Sequence, residues 1–165
     1  MQGAFNQYFS IFPFDRLTPN AVGFDMGCGS GRWARLVAPK VGFLNCIDAS
    51  SQALDVTKRK LKNLPNVAFH CASVDDVRLE PQSQDFGYCL GVLHHIPDTA
   101  AGIESCGRLL KPGAPFLLYL YYSFENRGMV FRTVWKASDC LRRGISVLPF
   151  SLKKTVTWAL AAAVY

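Results

Sequence analysis

The sequence predicts a doubly wound α/β domain around a mostly parallel sheet of about five strands, and three observations carry that prediction. Short apolar runs alternate with helical patterns from Ala21 to Tyr122, the arrangement of right-handed strand–helix–strand units. The first run, Val22-Gly23-Phe24-Asp25-Met26, ends beside an acid and passes straight into Gly27-Cys28-Gly29-Ser30-Gly31, three glycines at alternate positions. Glycine at a strand–helix junction lets the backbone turn tightly and lie close against a ligand. Finally, the second run closes on Asp48, nineteen residues beyond Gly29, where a carboxylate can accept hydrogen bonds from ribose hydroxyls. Asp48 could also cap the next helix, although Ser50 is placed to fill that role.

The elements follow in order. Strands are expected at Ala21–Met26, Gly42–Ile47, Asn66–Cys71, Asp85–Leu90 and Ala114–Tyr122, each an apolar run bounded by turn residues. Helices are expected at Arg32–Ala38, Ser50–Leu64 and Asp98–Leu110. The second of these has Ser50 or Ser51 as cap, an apolar stripe at Leu54, Leu61 and Leu64, and basic Lys58 to Lys62 near its end. Residues 1–20 read as a lead-in, 21–125 as the core and 126–165 as a basic helical extension with helices near Met129–Arg143 and Ser151–Val164. The extension ends in the apolar run Trp158-Ala159-Leu160-Ala161-Ala162-Ala163-Val164-Tyr165 without a cap, which predicts a piece of a longer protein.

Composition narrows the class. The chain has 165 residues, half of them hydrophobic and few charged, so it can bury a core and is not a disordered segment. Its opening residues lack a basic region followed by an apolar core, so no secretory signal is predicted. The six cysteines include no C-x-x-C pair, which favours reduced thiols in a cytoplasm over disulfides or zinc. The net charge of +6 is segregated. Residues 1–125 balance eleven Lys and Arg against eleven Asp and Glu, while residues 126–165 set Arg127, Arg132, Lys136, Arg142, Arg143, Lys153 and Lys154 against Asp139 alone. A neutral body argues against a nucleic-acid surface there.

The register of the glycine turn separates two ligand classes. A dinucleotide site requires a small residue at the sixth position of G-x-G-x-x-G, and that position here is Arg32. Asp25 ahead of the glycines would repel a phosphate and suits a cation. Asp25-Met26-Gly27-Cys28-Gly29-Ser30-Gly31 resembles motif I of the class I S-adenosylmethionine-dependent methyltransferases. Four further segments stand in that family's order: Asp48 after the second strand, the loop Ala72-Ser73-Val74-Asp75-Asp76, Val92-Leu93-His94-His95-Ile96-Pro97-Asp98 after the fourth, and Leu109-Leu110-Lys111-Pro112-Gly113 before the fifth.

That resemblance, which covers Ala21 to Tyr122, implies a Rossmann-like sheet of order 3-2-1-4-5 with its ligand at the switch between the first and fourth strands. It implies S-adenosyl-L-methionine as cofactor, held by Asp25, Gly27, Cys28, Gly29, Ser30, Gly31, Asp48, Ala49, Ser73, Val74, Asp75, Leu90 and Gly91, and no metal. Two departures stand out: Ser73 occupies the place of the family's usual adenine-binding acid, with Asp75 near enough to supply the carboxylate, and Gly87 replaces an acid in the fourth strand. Asp75 and Asp76 read equally well as a solvated turn. His94 and His95 are candidates for general base or substrate contact, or for shaping their loop; His70 reads as structural. The family's last two strands find no counterpart after Tyr122.

The expected function is methyl transfer to a small-molecule acceptor by in-line displacement, the protein chiefly positioning the reactants. A non-catalytic cofactor-binding module is the alternative, and a dehydrogenase is disfavoured by Arg32. In the extension, Phe131, Trp135 and Trp158, preceded by Tyr119, Tyr121, Tyr122 and Phe124, fit a cap over the site, a face packed on further protein, or a basic amphipathic segment in peripheral contact with a membrane.

Overall fold

In the computed structural model, which describes residues 2–121 and 128–164, five strands form one sheet: β1 (Val22–Met26), β2 (Phe43–Asp48), β3 (Val67–Cys71), β4 (Phe86–Leu90) and β5 (Phe116–Tyr119). The order is β3-β2-β1-β4-β5 and every ladder is parallel, as expected. All carboxyl ends therefore share one edge, and the order reverses between β1 and β4. Asp25, at that reversal, is flanked by Cys46 of β2 and Tyr88 of β4.

Strand alternation sends successive side chains to opposite faces, each closed by its own core. Phe24, Met26, Ile47 and Cys89 pack with Leu93, Cys106 and Leu109 beneath α4 (Thr99–Leu109). Leu44, Cys46, Phe86 and Tyr88 pack with Val37 of α2 (Ala34–Val37) and with Leu54 and Leu61 of α3 (Ser51–Leu61). The caps come from short polar side chains. The Ala53 amide donates to Ser50 Oγ at 3.2 Å, and the Ala101 amide donates to Asp98 Oδ1 at 2.9 Å.

Three elements differ from expectation. The helix expected at Arg32–Ala38 is one α turn followed by a tighter turn at Ala38–Lys40, because Pro39 has no N–H to continue the ladder. The fifth strand spans four residues, since Ala114 is held in a turn by its bond to the Lys111 carbonyl; Tyr122 and Phe124 lie outside the described residues. The lead-in is itself structured. It forms α1 (Gln2–Tyr8) and a short turn at Phe14–Arg16, and it buries Phe5, Phe9 and Phe12 in the same core as Tyr88. Ring contacts from Phe9 to Phe5 (4.5 Å) and to Tyr88 (5.3 Å) seal that face.

The chain divides into two compact units, Met1–Tyr121 and Tyr122–Tyr165. The second contains α5 (Met129–Ser146) and α6 (Phe150–Val164), joined by a bond from Lys153 Nζ to the Ser146 carbonyl. Asp139 of α5 accepts from both Arg142 and Arg143. No helix among the described residues is long and apolar enough to cross a membrane.

Candidate functional site

The glycine turn is built by its neighbours. The Gly27 and Cys28 amides both donate to the Ile47 carbonyl, at 2.8 and 2.9 Å, so the end of β2 holds the turn against the sheet. Gly27 has φ +77, and a Cβ there would meet Val92 at 2.4 Å. Gly29, at φ +53, has nothing within 4 Å of that position, and its backbone is open on one side. Its amide donates to Asp48 Oδ2 at 2.7 Å, and its carbonyl accepts from Thr57 Oγ1 at 2.7 Å. The second Asp48 oxygen accepts from the Ser50 amide at 2.8 Å, so Asp48 ties the turn to the end of β2 while Ser50 caps α3. Each carboxylate oxygen keeps a lone pair for a further donor.

Gly27 and Asp48 edge a cleft of about 140 Å³ at the carboxyl ends of β1, β2 and β3. Asp48 and Ala49 form one side and Ser73 and Val74 another, with Met26, Val92, Leu93 and Ile96 as apolar walls. The structure thus brings Gly27, Asp48, Ala49, Ser73 and Val74 together, with Gly29 bonded to Asp48. The other expected contacts fall elsewhere. Cys28 turns its side chain into the core, and Ser30 is exposed with its carbonyl bonded to Lys60 Nζ. Gly31 is closed off by Thr57. Asp75 lines an adjoining cavity with Pro97 and Ala101, and Ser73 donates to it, holding its carboxyl below the usual range. Leu90 lines a separate cavity with Tyr8 and Tyr119, while the Gly91 amide donates to the Tyr119 carbonyl at 2.9 Å.

Asp25 is buried under the turn, and the Tyr88 hydroxyl donates to its Oδ2 at 3.0 Å. Burial pushes its carboxyl up to about 7; the Tyr88 bond opposes that rise and the Asp48 charge adds to it. Tyr88, the partner of Asp25, is among the residues that sequence reasoning missed, with the cleft walls Met26, Leu93 and Ile96. A tyrosine within an apolar strand run reads as core, and only the β1–β4 register places its hydroxyl on Asp25.

At the end of β4 the loop turns through Leu93–His95. The His94 ring lies 4.0 Å from that of His95 and 4.5 Å from that of Tyr121, and neither ring nitrogen has a hydrogen-bond partner among the described residues. Local desolvation and the neighbouring His95 lower its pKa. Asp98, from the same segment, is spent on capping α4. His70 is bonded to Asn45 Oδ1 at 3.0 Å, and Asn45 in turn donates to Gln84 at 3.1 Å; this polar string across the sheet fits a structural role. No group of three or more metal-ligating side chains occurs among the described residues.

The family model described as a methyltransferase domain matches residues 24–113. A ubiquinone biosynthesis O-methyltransferase of Neisseria meningitidis is 34% identical over 92 residues, which are 53% of this chain and 39% of that protein. One of the same name from Coxiella burnetii is 29% identical over 104 residues, 62% of this chain and 43% of that protein. Among solved structures, the YcgJ protein of Bacillus subtilis superposes with a TM-score of 0.67 at 22% identity, covering 74% of this chain and 52% of that one, a likeness of fold. The chain spans about two fifths of the length of the curated relatives it matches.

Proposed function

This chain belongs to the methyltransferase-domain family, and from that premise we propose that it binds S-adenosylmethionine in the cleft beside Asp48 and directs methyl transfer to an oxygen of a small molecule. The observation that carries the reading is the tie between Asp48 and Gly29 at the cleft, which holds a carboxylate and an uncovered stretch of backbone side by side. The residues fit that cofactor. Asp48 retains acceptor capacity for two hydroxyls, the walls of Val74, Val92, Leu93 and Ile96 suit a flat heterocycle, and Asp25 puts a carboxylate rather than a phosphate-binding group under the turn. S-adenosylmethionine, when bound, supplies an electrophilic methyl group on a cationic sulfur.

The protein's own work is orientation, exclusion of water and removal of one proton. His94 is the group we assign to that proton. Its ring nitrogens have no partner among the described residues, and its lowered pKa keeps the imidazole neutral, and so able to accept, at neutral pH. An oxygen acceptor is favoured by the names of the relatives, both O-methyltransferases.

Calorimetric titration tests the reading. S-adenosylmethionine should bind and NAD should not, and Asp48→Ala should weaken binding by roughly 10- to 100-fold, the loss of a charged hydrogen-bond acceptor. Equal affinity for the two cofactors, or an unweakened Asp48→Ala protein with native circular dichroism, would overturn it. We assign α5 a second role, contact with an anionic membrane surface. On it Val130 and Val134 repeat at helical spacing, both exposed, beside Arg132, Lys136 and Arg143. Six cysteines without a disulfide fit a reducing compartment such as the cytoplasm.

A further inference from the structure

We propose that Tyr88 sets the pH range over which the cofactor binds, by donating to Asp25 and so holding that buried carboxylate in its ionised, cation-accepting form. The inference rests on the S-adenosylmethionine reading and names a residue that no motif of the family marks in this sequence. Asp25 and Tyr88 face each other in the β1–β4 register, both essentially without solvent contact, and the hydroxyl lies 3.0 Å from Oδ2. The Phe9 ring stands edge-on to Tyr88 at 5.3 Å. The phenol is therefore cut off from water on that side, and the carboxylate is its hydrogen-bond partner.

The titratable groups around this pair are Cys46 and Asp48 of β2, Cys89 of β4 and Cys28 of the turn, each neutral or acidic. None supplies a positive charge. A buried carboxylate without a cation favours its proton, and burial does push Asp25 up to about 7. Two things oppose that. One is permanent, the Tyr88 hydroxyl; the other arrives with the ligand, whose amino-acid portion and sulfur carry positive charge. Binding is then linked to loss of one proton from Asp25 to solvent, and Tyr88 determines how much of that loss has already occurred in the free protein. Tyr88 is thus a positioning residue acting through Asp25. The same bond explains why a hydroxyl is tolerated at the centre of an otherwise apolar strand.

The test is calorimetric titration of the 165-residue chain with S-adenosylmethionine between pH 5.5 and 8.5, in pairs of buffers with different ionisation enthalpies. The wild-type affinity should fall by about tenfold per pH unit on the acid side of the Asp25 titration, with about one proton released per molecule bound there. In Tyr88→Phe the same fall should begin about one pH unit higher, because one hydrogen bond to the ionised form is gone, and the two proteins should converge at the alkaline end. Asp25→Asn should bind weakly with no fall and release no proton. Incorporation of 3-fluorotyrosine at position 88, which keeps the ring and makes it a stronger donor, should move the fall to lower pH. That arm stands even where Tyr88→Phe folds poorly. A wild-type affinity that is flat with pH, or a Tyr88→Phe defect of equal size at every pH, overturns the inference while leaving the cofactor reading in place. Absence of S-adenosylmethionine binding at all pH values overturns the cofactor reading and the inference with it.

Discussion

His94 and His95 adjoin in sequence but differ in surroundings, and the role proposed for His94 predicts different effects of substituting the two. His95 is exposed, whereas the ring nitrogens of His94 lie against protein without a partner among the described residues. An unpartnered buried nitrogen is costly, which supports the proposal that His94 meets its partner in the working complex. His94→Gln should therefore lower kcat by about 10²- to 10⁴-fold with the cofactor Kd unchanged, and His95→Gln should do much less. With its pKa held below the ordinary value, His94 is protonated only in acid. Its contribution to kcat should rise with pH through a midpoint below the ordinary imidazole value, and a stopped or labelled-methyl assay across pH reads that profile. Asp48 was legible from its place after an apolar run, but its bonds to the Gly29 and Ser50 amides were not. Those bonds make it a brace for the turn, beside the ligand contact proposed for it. Asp25 was legible as an acid, but its hydroxyl partner sits 63 residues away and depends on strand order.

At the scale of elements, the glycine turn illustrates how much a local pattern can carry. Three glycines at alternate positions announce positive φ, and all three have it. What each glycine avoids is set by other elements: Val92 from the loop after β4 for Gly27, Thr57 of α3 for Gly31, and open space at Gly29. Gly27→Ala should therefore combine unfavourable backbone with a clash, lowering stability by about 2–4 kcal/mol in chemical denaturation. Val92→Ala added to it should recover part of that loss, because it removes the clash and leaves the backbone strain. The same substitution at Gly29 meets no protein atom, so any excess loss of cofactor affinity over stability there reports ligand contact. Other elements were less legible. Phe5, Phe9 and Phe12 repeat at helical spacing in a segment read only as a lead-in, and the signal was present. Pro39 likewise announced that the helix after the turn would be short.

For the whole molecule, the segregation of charge has its own consequence. The excess of six positive charges belongs to residues 126–165, where α5 exposes Val130 and Val134 together with Arg132, Lys136 and Arg143. Sedimentation with vesicles should show binding to phosphatidylglycerol-containing membranes and little to phosphatidylcholine, with binding weakened strongly between low and 0.5 M salt. Salt-insensitive binding, or none to the anionic vesicles, removes that surface from consideration. The strand order was implied by the family resemblance, while the fold class and the glycine turn followed from local patterns, namely apolar runs of strand length, helical spacing and glycines beside an acid. Local patterns report them because they arise from steric and solvation preferences that act within a few residues. The pairing of Tyr88 with Asp25 and the bracing of Gly29 by Asp48 and Thr57 came from the assembled sheet alone. Each joins groups distant in the chain, and the energies that matter there, burial of a charge and completion of a hydrogen bond, exist only once the strands are in register.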